Sequence, residues 1–106
     1  MIFSPELLPK VLDGTKTVTR RRVPLDGGDS PYRPGRTYAV QPGRGQRAVA
    51  RIRILSVRRE AFSDITAEEA RREGFKDASA MRMWWTQRYG PEGYGAPVWR
   101  IEFELA

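Results

Sequence analysis

Lys16 and Thr19 stand three residues apart in the run Gly14-Thr-Lys-Thr-Val-Thr-Arg-Arg-Arg22. A desolvated lysine gives up its proton readily and becomes a base. Set against a hydroxyl, it draws off that proton and makes a nucleophile, the logic of a serine–lysine dyad. The spacing sets a condition. On a straight strand the two side chains point to opposite faces, and on a helix they share one. They meet if the chain turns between them, which Gly14 permits; otherwise Lys16 is a surface lysine beside a strand threonine. The chain has no His and no Cys, so side-chain catalysis must come from such a set.

Other residues extend the constellation. Arg20, Arg21 and Arg22 either form a solvated basic edge that discourages strand aggregation or capture a phosphate or carboxylate. On a strand, Arg20 and Arg22 share one face and Arg21 takes the other. Glu73 falls in the last turn of an expected helix, where the macrodipole disfavours negative charge, and Glu69 lies one turn earlier as a like charge. Both effects raise its pKa and suit it to act as a general acid or to orient a base. The plainer reading pairs it with Arg72 at the surface. Tyr32, Trp84, Trp85, Tyr89 and Tyr94 are candidates for stacking on a base. Trp84 and Trp85 are neighbours on one helix and should face different ways. Trp99 reads as core.

Composition narrows the class. The chain has 106 residues, 40% of them hydrophobic, and a formal charge of +6, with a pI near 10.3. That is enough for one packed domain, and the charge suggests a polyanionic partner, nucleic acid first. The absence of cysteine excludes disulfides, thiol catalysis and the common zinc sites. No apolar run approaches the ~20 residues of a membrane span. A cytoplasmic monomer is the default expectation.

Elements must position these residues. Ser4 reads as the cap of a short first helix with Pro5 at its first position and an end near Asp13; Pro9 is awkward inside it. Residues 15–23 should be extended and 24–36 a long loop. A strand is expected over Thr37–Gln41, a hairpin connection over 42–46, and a long strand over 47–58. Thr66-Ala-Glu-Glu69 is a capping box whose helix runs through Glu73 and stops at Gly74. A further helix is expected over Ala80–Tyr89 and a loop over 90–97. In the closing strand, Trp99, Ile101, Phe103 and Leu105 alternate with Arg100, Glu102 and Glu104, which predicts one core face and one wet face.

Several of these runs, in this order, resemble the ASCH domain, a small β-barrel fold related to PUA domains and linked to RNA. Gly14–Arg21 matches the family's Gly-x-Lys-Thr-x-Thr-x-Arg run, and Thr66–Gly74 matches its Thr-x-Glu-x-Ala-x-x-Glu-Gly helix. Tyr32–Gly35 matches a Tyr-x-x-Gly turn, and Val98–Phe103 matches a Val-Trp-x-Ile-x-Phe strand. The resemblance spans nearly the whole chain. It implies one domain over residues 1–106 of α+β class, a small PUA-like mixed β-barrel with two to three flanking helices.

One bacterial branch of that family looks like small amidohydrolases that deacylate N4-acetylcytidine. Carried over to this chain, the resemblance makes Lys16 the base, Thr19 the nucleophile and Glu73 the acid or orienting group. Arg21 stands at the motif arginine. The implied partner is a cytidine-like nucleoside or RNA, held by Arg20, Arg21, Tyr32, Arg44 and Arg47 without metal or cofactor. Loop 24–36, the Trp84–Tyr89 helix and loop 90–97 differ from the shortest amidohydrolases. Two other readings stay open. A non-catalytic RNA-binding module would lean on Arg44, Arg47, Arg51 and Arg53. A metal-independent ribonuclease would use the ribose hydroxyl as nucleophile with help from Lys16.

Overall fold

The computed structural model describes residues 1–106, and its fold is built around the closing strand. Four strands, β1 (Val18–Arg22), β2 (Thr37–Val40), β3 (Ala50–Ala61) and β4 (Pro97–Leu105), form one sheet in the order β1-β4-β3-β2. Every pairing is antiparallel. β3 is long because β4 pairs with it as far as Ala61 opposite Pro97. It begins at Ala50 rather than 47 and runs past 58, because residues 42–49 are spent on the hairpin connection. A bulge between Ile54 and Ser56 bends β3 and leaves Leu55 facing outward.

The sheet curls into a half-barrel that the N-terminus helps to close. Ile2 forms a parallel bridge with Gln41 just beyond β2. Across the gap, an Nη of Arg21 on β1 donates to the Ile2 carbonyl at 2.8 Å. The first apolar core lies inside this curl and comprises Phe3, Val11, Val40, Ile52, Ile54, Ile101 and Phe103. A second core of Phe62, Ile65, Ala70, Met81, Trp85 and Val98 packs beneath the helices.

Three α-helices flank the sheet: α1 (Leu8–Leu12), α2 (Ala67–Arg72) and α3 (Ala78–Tyr89). The Ser4 carbonyl accepts from the Leu7 and Leu8 amides in a turn, but α1 itself starts at Leu8 with Leu7 before it and no side-chain cap, in place of the expected Ser4 cap and Pro5 start. Pro9 is tolerated because it falls in the first turn of α1, where an amide hydrogen has no intrahelical partner. In α2 the Thr66 hydroxyl accepts from the Glu69 amide at 3.1 Å. Gly74 follows at φ +100°, a left-handed stop. α3 starts two residues before the expected Ala80, since the Asp77 carboxylate caps it by accepting from the Ala80 amide at 2.8 Å. No helix is long and apolar enough to cross a membrane.

One expectation needs correcting. β4 does not have a core face and a wet face. Arg100 is only 4% exposed while Leu105 is 44% exposed, and Trp99 is half-buried against the first core. Both faces of β4 are covered: Ile101 and Phe103 belong to the first core, and Val98 belongs to the second. Between these layers Arg100 meets the glutamate of α2, so an arginine is buried where alternation predicts water.

Candidate active site

Lys16 is pulled inward by its backbone. Its amide donates to the Lys10 carbonyl at 2.9 Å, and the next amide, Thr17, donates to Arg72 at 2.8 Å. The turn after Gly14 thus lays the segment across the C-terminal end of α2. The Lys16 side chain, 1% exposed, reaches the carbonyls of Val18 and Glu73 and the Glu73 Oε1, each at 2.8 Å. Three acceptors satisfy the three protons of an ammonium. Two of them, the Glu73 carbonyl and carboxylate, sit at the negative end of a helix. Burial pulls the Lys16 pKa below its ordinary value, and the Glu73 charge opposes it.

Glu73 is held from the other side by Arg20, whose Nη1 donates to Oε2 at 2.9 Å. Both carboxylate oxygens therefore accept from cations. The Arg20 Nη2 donates to Glu69 at 2.8 Å and to Glu60 at 3.0 Å, while its Nε has no partner. Register explains the crowding. Arg20 lies opposite Arg100, which lies opposite Arg58, so three arginines form one row across β1, β4 and β3. Like charges in such a row repel, and the glutamates interleave them. Arg100 grips both oxygens of Glu69 and reaches Glu102 at 3.4 Å, which Arg72 holds at 2.6 Å. The Arg100 hydrogen bonds, aided by Arg20, hold the Glu69 carboxyl at about 2.

Thr19 is buried on β1, yet its hydroxyl makes no hydrogen bond, and no bond joins it to Lys16. It opens instead into a cleft beside β1, the edge strand. Phe3, Leu7, Phe75, Met81, Trp84, Trp85 and Tyr89 wall this cleft, and Lys16, Thr19, Arg20, Arg21, Glu73 and Arg88 give it polar groups. Its inner space is about 50 Å³, room for a few waters. Apolar walls with convergent polar groups among them suit a small-ligand site. No group of His, Cys, Asp and Glu residues is arranged to hold a metal ion.

The family model described as the ASCH domain matches residues 1–90. The chain belongs to the ASCH domain family. Its fold is similar to a crystallised ASCH domain from Lactobacillus crispatus, with TM-score 0.70 and 18% identity over 93% of this chain and 69% of that one. It is also similar to a protein from Enterococcus faecalis of the DUF984 family, with TM-score 0.67 and 17% identity over 92% and 68% of the two chains. A search among curated proteins returned no match.

This ASCH domain gathers Lys16, Thr19, Arg20, Arg21 and Glu73 in one cleft. Tyr32 is elsewhere, half-buried against the first core and edge-on to Tyr38 at 5.0 Å. Arg44 and Arg47 are exposed on the β2–β3 connection and do not line the cleft. Sequence reasoning missed the roles of Glu60, Arg100, Phe3, Phe75 and Arg88. Arg100 was hidden by its place in an alternating strand. Of the two adjacent tryptophans, Trp85 is buried, stacked on Phe62 at 4.2 Å, and Trp84 is the more open one. Both border the cleft.

Proposed function

We propose that the cleft receives the acylated edge of a cytidine-type base, free or in RNA, and hydrolyses the amide on its exocyclic nitrogen. The observation that carries this reading is the unbonded Thr19 hydroxyl opening into the same cleft as the buried Lys16–Glu73 pair. Lys16 becomes a base by shedding one proton and one carbonyl contact, a change its burial favours. It then takes the Thr19 proton. The Thr19 oxygen bonds to the acyl carbon, and Arg21 at the cleft wall faces the developing oxyanion. Collapse breaks the carbon–nitrogen bond, Lys16 returns the proton to the leaving amine, and water hydrolyses the threonyl ester in a second step. Glu73 orients Lys16 throughout, and Arg20 holds Glu73 in place. No metal or cofactor enters these steps.

The test is release of cytidine from N4-acetylcytidine by the pure protein. Lys16→Ala, Thr19→Val and Glu73→Gln should each lower kcat/KM by roughly a hundredfold or more, the usual scale for a base or nucleophile. Unchanged rates in all three remove the assignment. The second reading is a non-catalytic RNA-binding module, favoured by the full satisfaction of the Lys16 protons at rest. It predicts no release, with RNA affinity falling steeply as salt rises.

A further inference from the structure

The arginines around the ion-pair cluster and the cleft fall into two sets. Arg20, Arg58, Arg72 and Arg100 are each within 4 Å of a glutamate. Arg21, Arg22 and Arg88 have no such partner, and all three sit on aromatic rings at the cleft. Arg21 lies 5.2 Å over Phe3, Arg22 lies 5.0 Å over Tyr89, and Arg88 lies 5.0 Å over Trp84. Phe3, Tyr89 and Trp84 all line the cleft. Stacking fixes each guanidinium plane and leaves N–H groups at its edge, apart from the Arg21 Nη that donates to the Ile2 carbonyl. Glu6 is the carboxylate on this rim. It accepts from the Trp84 indole at 3.2 Å and forms no ion pair with Arg88 within 4 Å.

Arg21 and Arg88 line the cleft and Arg22 lies over one of its rings, so three guanidiniums without an ion-pair partner stand near one mouth, where an anion with several acceptor oxygens can meet them. The inner cleft is too small to enclose a whole nucleoside, so the sugar and whatever it carries remain at this rim. We propose that Arg21, Arg22 and Arg88 bind a phosphate attached to the nucleoside, so that the preferred ligand is a nucleotide rather than a bare nucleoside. The phosphate belongs to a free monophosphate or to an RNA backbone, and the chemistry recognised is the same. The proposal rests on the base-binding reading above, but not on hydrolysis.

The experiment compares calorimetric binding of cytidine, cytidine 5′-monophosphate and a short cytidine oligonucleotide, alongside turnover of N4-acetylcytidine and its 5′-monophosphate. A phosphorylated ligand should bind at least roughly tenfold more tightly than cytidine, the scale of one charge-assisted hydrogen bond. The ratio should fall towards one in Arg22→Gln/Arg88→Gln and be partly kept in Arg22→Lys/Arg88→Lys. Whichever phosphorylated ligand binds tighter names the source of the phosphate. Equal binding of cytidine and both phosphorylated ligands, or a preference that survives the Gln substitutions, overturns the proposal. If no acylated substrate turns over while the binding ratio holds, hydrolysis falls and the phosphate site stands.

Discussion

Lys16, Arg20 and Glu73 carry opposite charges into the interior, and each depends on the others for its solvation. Removing one partner of a buried ionic group strands the remainder, at about 3–5 kcal/mol. Arg20→Met strands contacts to Glu60, Glu69 and Glu73 together. We therefore expect it to lower unfolding stability by about 3–5 kcal/mol, read from the urea midpoint at constant m. Thr19→Val is the contrast. The Thr19 hydroxyl makes no hydrogen bond, so the midpoint should hardly move while turnover is lost. A large loss of stability in Thr19→Val would mean that the hydroxyl is structural. The same difference shows what could be read from sequence at this scale. Lys16, Thr19 and Glu73 were legible from residue type and motif. That Arg20 spends both terminal nitrogens on glutamates was not, because its partners lie forty or more positions away.

Helix α2 places the acidic half of the site. Its N-terminal cap, its stop and its two inward glutamates all lie in the nine residues Thr66–Gly74, which is why it could be read locally. The stop is the sensitive point. Gly74 adopts φ +100°, and a Cβ there would approach the Lys10 side chain to 3.1 Å. Gly74→Ala should cost about 1–2 kcal/mol from the left-handed backbone, seen as a fall of several degrees in Tm. It should also reduce turnover, because the adjacent Glu73 shifts against Lys16. A normal Tm in Gly74→Ala would show that the turn relaxes freely. β4 was harder to read. Its alternating pattern was plain, but alternation reports only that two faces differ. It cannot tell solvent from a layer of ion pairs, so Arg100 was assigned to water and is buried.

At the scale of the whole molecule, the ion-pair cluster ties stability to pH. Glu69 sits at about 2 when folded against an ordinary value of 4.5. A lowered carboxyl contributes stability that is fully present above the ordinary value and is lost as pH falls through the folded one. Hydrogen bonds from Arg72, opposed by burial, lower Glu102 in the same direction. Tm should hold steady above pH 5 and fall between about pH 4.5 and 2. A Tm that stays level to pH 2 would rule out this coupling. Lys16 works with the same slope in a higher range of pH. Its pKa is lowered by burial, so the unfolded chain binds the extra proton and stability rises as pH climbs towards 10.5.

The sequence by itself determined the family motifs, the cap and stop of α2, and the residue types able to do proton chemistry, because these are encoded within a turn or two of chain. Tertiary structure alone decided which residues share the cleft. The curl of the sheet separates Tyr32, Arg44 and Arg47 from it, and the turn after Gly14 brings Lys16 to Glu73, 57 positions on. It also decided which arginines are neutralised and which remain free at the rim. That distinction depends on cross-strand register and on where α2 sets its glutamates, and no local pattern in the chain records either.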